Sequence, residues 1–302
     1  MNVIVFGATG LLGSAVARAN PGCLQVSSKD FDATDPVDTE RWFTENQLVV
    51  TSSIAHICCG KVAGIGGQKN RTMFMDNMLM AMNIINALAK YQHHGNSVYY
   101  SSSCVYPKHL DEFSESDMLT GSFEPSNEGY ALAKAAGQRL CQYWNRELGA
   151  RQFIVIVPPN LYGQNDNWDL NSCHVLPAIA QKIRTSHLQS QPLVIWGQPD
   201  TRREFLRSDD VASAASSIVA IESTQEIFNV GMGSDIDIDS VVAGLCQRLN
   251  YKKDYTYTGD MVGKTKKLLK TDVINSLGWS PKYSYEDMLD YIAEETLQRE
   301  KI

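Results

Sequence analysis

The chain has 302 residues, with 27 Lys and Arg against 34 Asp and Glu, giving a formal charge of −7. Hydrophobic residues make up 43% and charged residues 20%, which excludes a disordered chain, a collagen-like repeat and a basic nucleic-acid-binding domain. No apolar run reaches the ~18 residues that a membrane span needs, so no membrane partner is expected. At about 150 residues per domain the length suits two lobes. Val3-Ile4-Val5-Phe6 predicts a strand that ends at a glycine, and residues 10–19 predict a helix stopped by Asn20-Pro21-Gly22. Leu24-Gln25-Val26 predicts a second strand, residues 41–45 lie in a second helix, and residues 48–59 contain a third strand. Residues 71–92 carry Met, Leu, Ile and Ala around most of the helical circumference, which predicts a long helix buried on more than one side. Val98-Tyr99-Tyr100 predicts a fourth strand, residues 105–127 a long loop, residues 128–147 another helix, and residues 153–157 a fifth strand ended by Pro158-Pro159.

Beyond residue 160 the rhythm loosens. A helix is expected at 175–185, strands near 193–196 and 203–207, and helices near 209–221 and 239–249. Strands alternating with helices over 150 residues imply an α/β fold with a doubly wound parallel sheet covered on both faces. A smaller C-terminal α/β lobe is expected to be woven into it. The expected division is 1–160 with 208–232 as a dinucleotide-binding domain, and 161–207 with 233–302 as the second lobe.

Gly7-Ala8-Thr9-Gly10-Leu11-Leu12-Gly13 lies between the first strand and the first helix. Gly7 permits a tight turn, Gly10 lets backbone approach a pyrophosphate at the helix N-terminus, and Gly13 allows close helix–sheet packing. The strand-before, helix-after context marks a dinucleotide site. An NAD-specific site commonly ends its second strand in an acidic residue for the ribose 2′-hydroxyl. Here that stretch is Val26-Ser27-Ser28-Lys29-Asp30. Two hydroxyls and a cation suit a 2′-phosphate better and favour NADP(H), with Lys29 as its contact; a solvated surface lysine is the alternative.

Tyr130 and Lys134 are four residues apart, one helical turn, on one face of the helix expected at 128–147. An unperturbed tyrosine is a poor acid–base group at neutral pH, and a nearby cation is expected to lower its pKa. Such a tyrosine can protonate a carbonyl oxygen as hydride reaches the carbon. Ser101, Ser102 and Ser103 follow the fourth strand, at the sheet edge where ligands bind in such folds. The seven cysteines form no CxxC pair and the histidines are scattered, so reduced thiols in a cytoplasmic protein are expected, with no metal. The opening MNVIVFGATG has no basic n-region and is not expected to be a secretory signal.

Together these features resemble the extended short-chain dehydrogenase/reductase family. The resemblance implies a Rossmann-type sheet, a catalytic Tyr130–Lys134 pair with Lys134 also on the nicotinamide ribose, and Ser102 or Ser103 positioning the keto oxygen. More narrowly, Lys61-Val62-Ala63-Gly64-Ile65, Ser102-Ser103-Cys104-Val105-Tyr106-Pro107-Lys108, Glu124-Pro125-Ser126-Asn127-Glu128, Asn160-Leu161-Tyr162-Gly163, His174-Val175-Leu176-Pro177, Trp196-Gly197 and Arg203-Glu204-Phe205-Leu206 are similar to stretches of GDP-L-fucose synthases, in the same order. That family epimerises GDP-4-keto-6-deoxy-D-mannose at C3 and C5 and reduces it at C4 with NADPH. The resemblance implies Cys104 and His174 as the epimerase acid–base pair, Asn160 and Leu161 at the cofactor, and Lys182, Trp196, Arg203 and Lys267 at the GDP-sugar. It also implies a homodimer through helices 71–92 and 128–147. Thr9 stands where many members carry an arginine, Lys182 replaces another arginine, Ser101 a glycine and Gly129 a proline. These departures leave a colitose- or deoxyheptose-type GDP-keto-sugar open as substrate. A non-enzymatic NADP-binding regulator is the remaining alternative.

Overall fold

The computed structural model describes residues 2–62, 71–92, 95–170, 172–259 and 264–299. Ala63, Gly64 and Ile65 of the resemblance lie outside the described residues. The first half runs β1 (Val3–Phe6), α1 (Leu11–Ala19), β2 (Leu24–Val26), α2 (Pro36–Glu45), α3 (Gln47–Val50), β3 (Ile54–Ile57), α4 (Arg71–Tyr91), β4 (Ser97–Tyr100), β5 (Glu112–Phe113), α5 (Glu128–Leu148) and β6 (Phe153–Val157). The second half runs β7 (Asn160–Tyr162), α6 (Val175–Gln189), β8 (Leu193–Ile195), β9 (Arg202–Arg203), β10 (Phe205–Arg207), α7 (Ser208–Val219), β11 (Ile227–Asn229), β12 (Ile236–Asp237), α8 (Ile238–Arg248), β13 (Tyr255–Tyr257), β14 (Leu268–Leu269), α9 (Asp272–Ser276) and α10 (Tyr285–Gln298).

Six strands form one parallel sheet in the order β11-β6-β4-β3-β1-β2. The pleat sends alternate residues to opposite faces. Ile4, Phe6, Tyr99, Phe153, Val155 and Val157 enter a core that includes Trp42 and Phe43 of α2, Ile84 and Leu88 of α4, and Ala131 and Cys141 of α5. Val5, Val98, Tyr100, Ile154 and Ile156 enter a second core with Ala15 and Val16 of α1 and Val211 and Ala215 of α7. Both sheet faces are therefore dry, which is why these strands are apolar runs without alternation. A third core gathers Tyr162, Leu176, Ile183, Phe205, Val241, Leu245, Met288 and Ile292 from β7, α6, β10, α8 and α10. No helix among the described residues is long and apolar enough to cross a membrane.

One sequence expectation needs correction, and one strand lay outside the sequence reading. The stretch 105–127 is not one open loop: it contains β5, which pairs in parallel with β14 from the far end of the chain, and a one-turn 3-10 helix at Glu115–Asp117. The third strand falls at Ile54–Ile57, inside the stretch 48–59 expected to contain it, and residues 48–50 before it belong to the one-turn helix α3. The sixth strand, β11, went unpredicted because three residues carry too little periodic signal.

Glu204, between β9 and β10, ties together β7, the turn at Gly233 and β14. Its backbone carbonyl accepts from the Asn160 side chain at 2.9 Å. Its carboxylate accepts N–H bonds from Gly233 at 3.0 Å and Leu269 at 2.9 Å. The residue is 1% exposed, and burial pushes its carboxyl up to about 7 despite these backbone donors. A carboxyl raised above its ordinary value of 4.5 holds more protons folded than unfolded between the two values, so stability falls as pH rises through that window. Urea unfolding of the parent and Glu204→Gln at pH 5, 6 and 7 should show a steeper loss in the parent. Parallel pH dependences would remove Glu204 as the source.

Candidate active site

The glycine loop follows β1 directly. Gly7 has φ +78°, and a Cβ there would lie 2.7 Å from the Cys59 backbone nitrogen. The turn is pinned to β2 by Gly7 N–H and Ala8 N–H bonds to the Val26 carbonyl, at 2.8 and 3.2 Å. A Cβ on Gly13 would lie 2.0 Å from the Gly7 carbonyl oxygen, whereas one on Gly10 would meet nothing nearer than 3.6 Å. Gly10 is the N-cap of α1, and no side chain caps that end. The helix thus opens onto free space with uncapped N–H groups, and a phosphate fits such a cradle. Thr9 is exposed, and Leu11 and Leu12 are half-buried behind it. Lys29 is exposed at the end of β2. Beside it Asp30 turns back to accept from Ser27 N–H at 2.7 Å and Ser27 Oγ at 3.0 Å.

Tyr130 and Lys134 lie on the first two turns of α5, each 7% exposed. Lys134 Nζ donates to the Tyr100 carbonyl at the end of β4 at 2.8 Å, and sits 6.0 Å from the Tyr130 ring centroid. A Cβ on Gly60, just after β3, would be 3.5 Å from that ammonium. The ends of β1, β3 and β4 and the start of α5 therefore meet at one point. Burial pushes the Tyr130 phenol well up, with the Cys104 sulfur adding to the rise and a hydrogen bond to Ser102 opposing it. The expected lowering by Lys134 is thus overturned: burial prevails, and the ammonium is committed to a carbonyl. Burial also pushes Lys134 down, while the neighbouring Cys59 and Cys58 oppose this.

Ser102 precedes a 3-10 turn, Ser103–Val105, and its Oγ accepts the Cys104 N–H at 3.3 Å. Ser103 is held through its backbone N–H to the Pro158 carbonyl at 3.0 Å. Cys104 Sγ accepts from Asn127 Nδ2 at 3.0 Å. Asn160 is bonded through its side chain to the Glu204 carbonyl. Leu161 packs into the core beneath the glycine loop.

Arg203 feels the electrostatic influence of Cys104 and Glu124, and burial pushes it below its ordinary value. His174 stands at the start of α6 without capping it. Its Nδ1 lies 3.5 Å from Asp166 Oδ1 and makes no hydrogen bond among the described residues. Lys182 and Trp196 form a separate pair: Lys182 Nζ is 3.6 Å from the indole centroid and donates to the Val194 carbonyl at 3.0 Å. Burial pushes Lys182 down to about 8, and Trp196 is 65% exposed. Lys267 is half-buried beside Lys264. Lys264 is itself nearly buried and paired to Asp111 at 3.1 Å.

The structure thus gathers Ser102, Cys104, Tyr130, Lys134 and Arg203 around one point, with the glycine loop adjoining through Cys59. No hydrogen bond or ion pair among the described residues joins His174 to Cys104, or Lys182 and Trp196 to that group. Sequence reasoning gave no role to Asn127, Asp166 or Glu204. All three lie inside stretches that resemble the family or next to them, but their roles depend on contacts between distant elements. Among the described residues no cluster of three or more His, Cys, Asp or Glu could hold a metal.

A glycine cradle at the edge of a doubly wound sheet, beside a Tyr–Lys–Ser constellation, defines a Rossmann-type dinucleotide enzyme. Residues 3–231 match the NAD dependent epimerase/dehydratase family, and the chain belongs to it. It is 33% identical over 294 residues to a GDP-L-fucose synthase of Sinorhizobium fredii, covering 93% of this chain and 91% of that protein. It is 32% identical to a GDP-L-colitose synthase of Yersinia pseudotuberculosis, covering 95% and 94%. Its fold matches that of a GDP-L-fucose synthetase from Naegleria fowleri bound to NADP, with a TM-score of 0.85 at 22% identity, covering 99% of this chain and 93% of that one.

The glycines give a steric contrast that titration with a dinucleotide can read. Gly10→Ala should fold normally, because its Cβ has room, yet bind NADPH about tenfold more weakly or worse because the methyl occupies the cradle. Gly13→Ala should lose thermal stability as well, since its Cβ collides with the loop. Equal NADPH affinity in Gly10→Ala and the parent would move the phosphate site elsewhere.

Proposed function

We propose that the protein converts GDP-4-keto-6-deoxy-D-mannose to GDP-L-fucose, by epimerisation at C3 and C5 and reduction at C4 with NADPH. The observation that carries this reading is the placement of the Cys104 sulfur beside Tyr130 and Ser102: a thiol stands next to a group of residues suited to reduction. The two relatives named above support the GDP-sugar. The ketone at C4 acidifies the protons on C3 and C5. Inversion at each needs a base on one face and an acid on the other, and Cys104 and His174 take these parts. NADPH, held by residues 7–13 with Lys29, Lys134, Asn160 and Leu161 nearby, supplies the hydride.

The oxygen at C4 receives its proton from Tyr130. A phenol held protonated by burial suits a donor that must not ionise early, and Ser102 orients the keto oxygen beside it. Lys134 places a cation close to the developing oxyanion. Arg203, Lys267, Lys182 and Trp196 are assigned to the diphosphate and nucleotide; Arg203 can hold a diphosphate bidentately. A second reading, reduction or epimerisation of a colitose- or deoxyheptose-type GDP-4-keto-sugar, is favoured by the nearly equal identity to the colitose synthase.

Residues 1–160 with 208–232 form the dinucleotide lobe in this reading, and 161–207 with 233–302 the substrate lobe; the separate third core supports that division. A cytoplasmic homodimer completes it. On α4, Met73, Met78, Leu79 and Met82 stay only half-buried within the monomer. Exposed Met75, Leu132 and Tyr143 extend the same pair of helices, and a second copy covering them is the proposed partner.

An assay in deuterated buffer separates the two chemistries. With GDP-4-keto-6-deoxymannose and NADPH, the parent should oxidise cofactor and give GDP-fucose deuterated at C3 and C5. Tyr130→Phe should lose reduction by about 10²- to 10⁴-fold while still washing deuterium into the substrate. Cys104→Ser should lose the wash-in. Oxidation without deuterium in the parent would leave a plain C4 reductase, and no oxidation would refute this substrate.

A further inference from the structure

Cys104 has a neighbour that no general motif assigns. Asn127 occupies the N-cap position of α5, yet its side chain caps nothing. Asparagine at that position ordinarily accepts a helix N–H. Here the carboxamide is turned away, and Nδ2 donates to Cys104 Sγ at 3.0 Å. The residue is 8% exposed. Its backbone is anchored on both sides, N–H to the Glu124 carbonyl at 3.1 Å and carbonyl to the Ala131 N–H at 3.0 Å. Its Oδ1 is buried with no partner among the described residues. An uncompensated buried amide oxygen is unfavourable, so its retention points to the work of the other end of the group.

We propose that Asn127 is the positioning residue of Cys104: its amide N–H fixes the direction of the sulfur and stays a donor to it in the anionic form, which takes a proton from carbon. This rests on the reading of Cys104 as an acid–base group. Among the described residues, Tyr130 from α5 and Arg203 from β9 also interact electrostatically with the sulfur, and Arg203 is shared with Glu124. The Asn127 amide is the donor that touches the sulfur directly.

The test uses the free full-length protein and needs no substrate. Iodoacetamide alkylation of Cys104, resolved from the other cysteines by peptide mass spectrometry, is followed in the parent, Asn127→Asp and Asn127→Ala. Asn127→Asp keeps the size of the side chain and replaces the donor with an acceptor. At pH 7 both variants should react about tenfold more slowly at Cys104. Near pH 10, where thiols are largely ionised, the rates should converge with the parent. A residue that only packed the loop would change the high-pH rate too, through altered access, and that result would overturn the proposal. An unchanged or faster rate at pH 7 would overturn it as well, because the thiol would then be donating to the amide oxygen. If the variants slow alkylation while the parent shows no deuterium wash-in at C3 or C5, the Asn127–Cys104 link stands and the reaction assigned to Cys104 falls.

Discussion

The site is organised around one buried cation. The Lys134 ammonium lies at the C-terminal edge of the sheet and forms no ion pair with a carboxylate among the described residues; its hydrogen bond goes to the Tyr100 carbonyl at 2.8 Å. The titratable groups that act on it are Cys59 and Cys58, whose thiols burial pushes up and so keeps neutral. A charge in such surroundings is expensive to hold, and the fold meets that demand with position. α5 is pressed so tightly on β4 that a Cβ on Gly137 would lie 2.5 Å from the Tyr99 hydroxyl. The same ammonium lies 5.1 Å from the Tyr99 ring centroid. Loosening this packing would let water reach the lysine and would move Tyr130 with it, because the two stand one turn apart on the same helix.

From that cation the rest of the site follows by adjacency along the sheet edge. β3 ends at the cysteines beside Lys134, and the Cys59 backbone fixes how close the glycine turn after β1 can come. β4 ends at Tyr100, and two residues later Ser102 reaches both Tyr130 and the Cys104 N–H. A parallel sheet ends every strand at the same edge, so groups far apart in sequence converge without long loops. The elements around the third core are attached differently. Glu204 grips β7, the 231–233 turn and β14 through one residue, and Arg203 is its immediate neighbour. The position of Arg203 thus depends on a buried carboxylate next to it as well as on its pairing with Ile236 of β12.

The parts legible in the sequence are those with local causes. β1 and the Gly7–Gly13 turn are visible because a continuous apolar run and fixed glycine spacing are local properties. The long helices α4 and α5 were placed within a residue or two by their periodicity. The pairing of β5 with β14 was invisible, since two residues make no pattern and the partner lies over 150 residues away. Tyr130 shows the same limit in its chemistry. Spacing correctly placed a lysine next to a tyrosine, but the direction of the tyrosine's shift depends on how much water remains, and that is a property of the packed site. Asn127 sat in plain view before a helix, where the local rule assigns it a cap; only the folded chain shows the amide turned to the sulfur.

In the proposed reaction an acidic chain handles two multiply charged ligands, and its cations must then escape neutralisation by its own carboxylates. The structure does this through burial more than through number. Arg203 and Lys182 are both pushed below their ordinary values by loss of water, and neither forms an ion pair with a carboxylate among the described residues. Each is therefore less stable in its charged form in the free protein than it would be in solvent. An anion that reaches them replaces the missing water with a stronger partner, so the attraction is local and only weakly screened by salt. In the proposed reaction those anions are the phosphates of the nucleotide-sugar, and Trp196 offers a flat face next to Lys182. The same condition holds at Lys134, where the charge that arrives is the oxygen developing at C4. Binding and chemistry would then draw on one physical device, a cation stripped of water and left without an internal counter-ion until its ligand is in place.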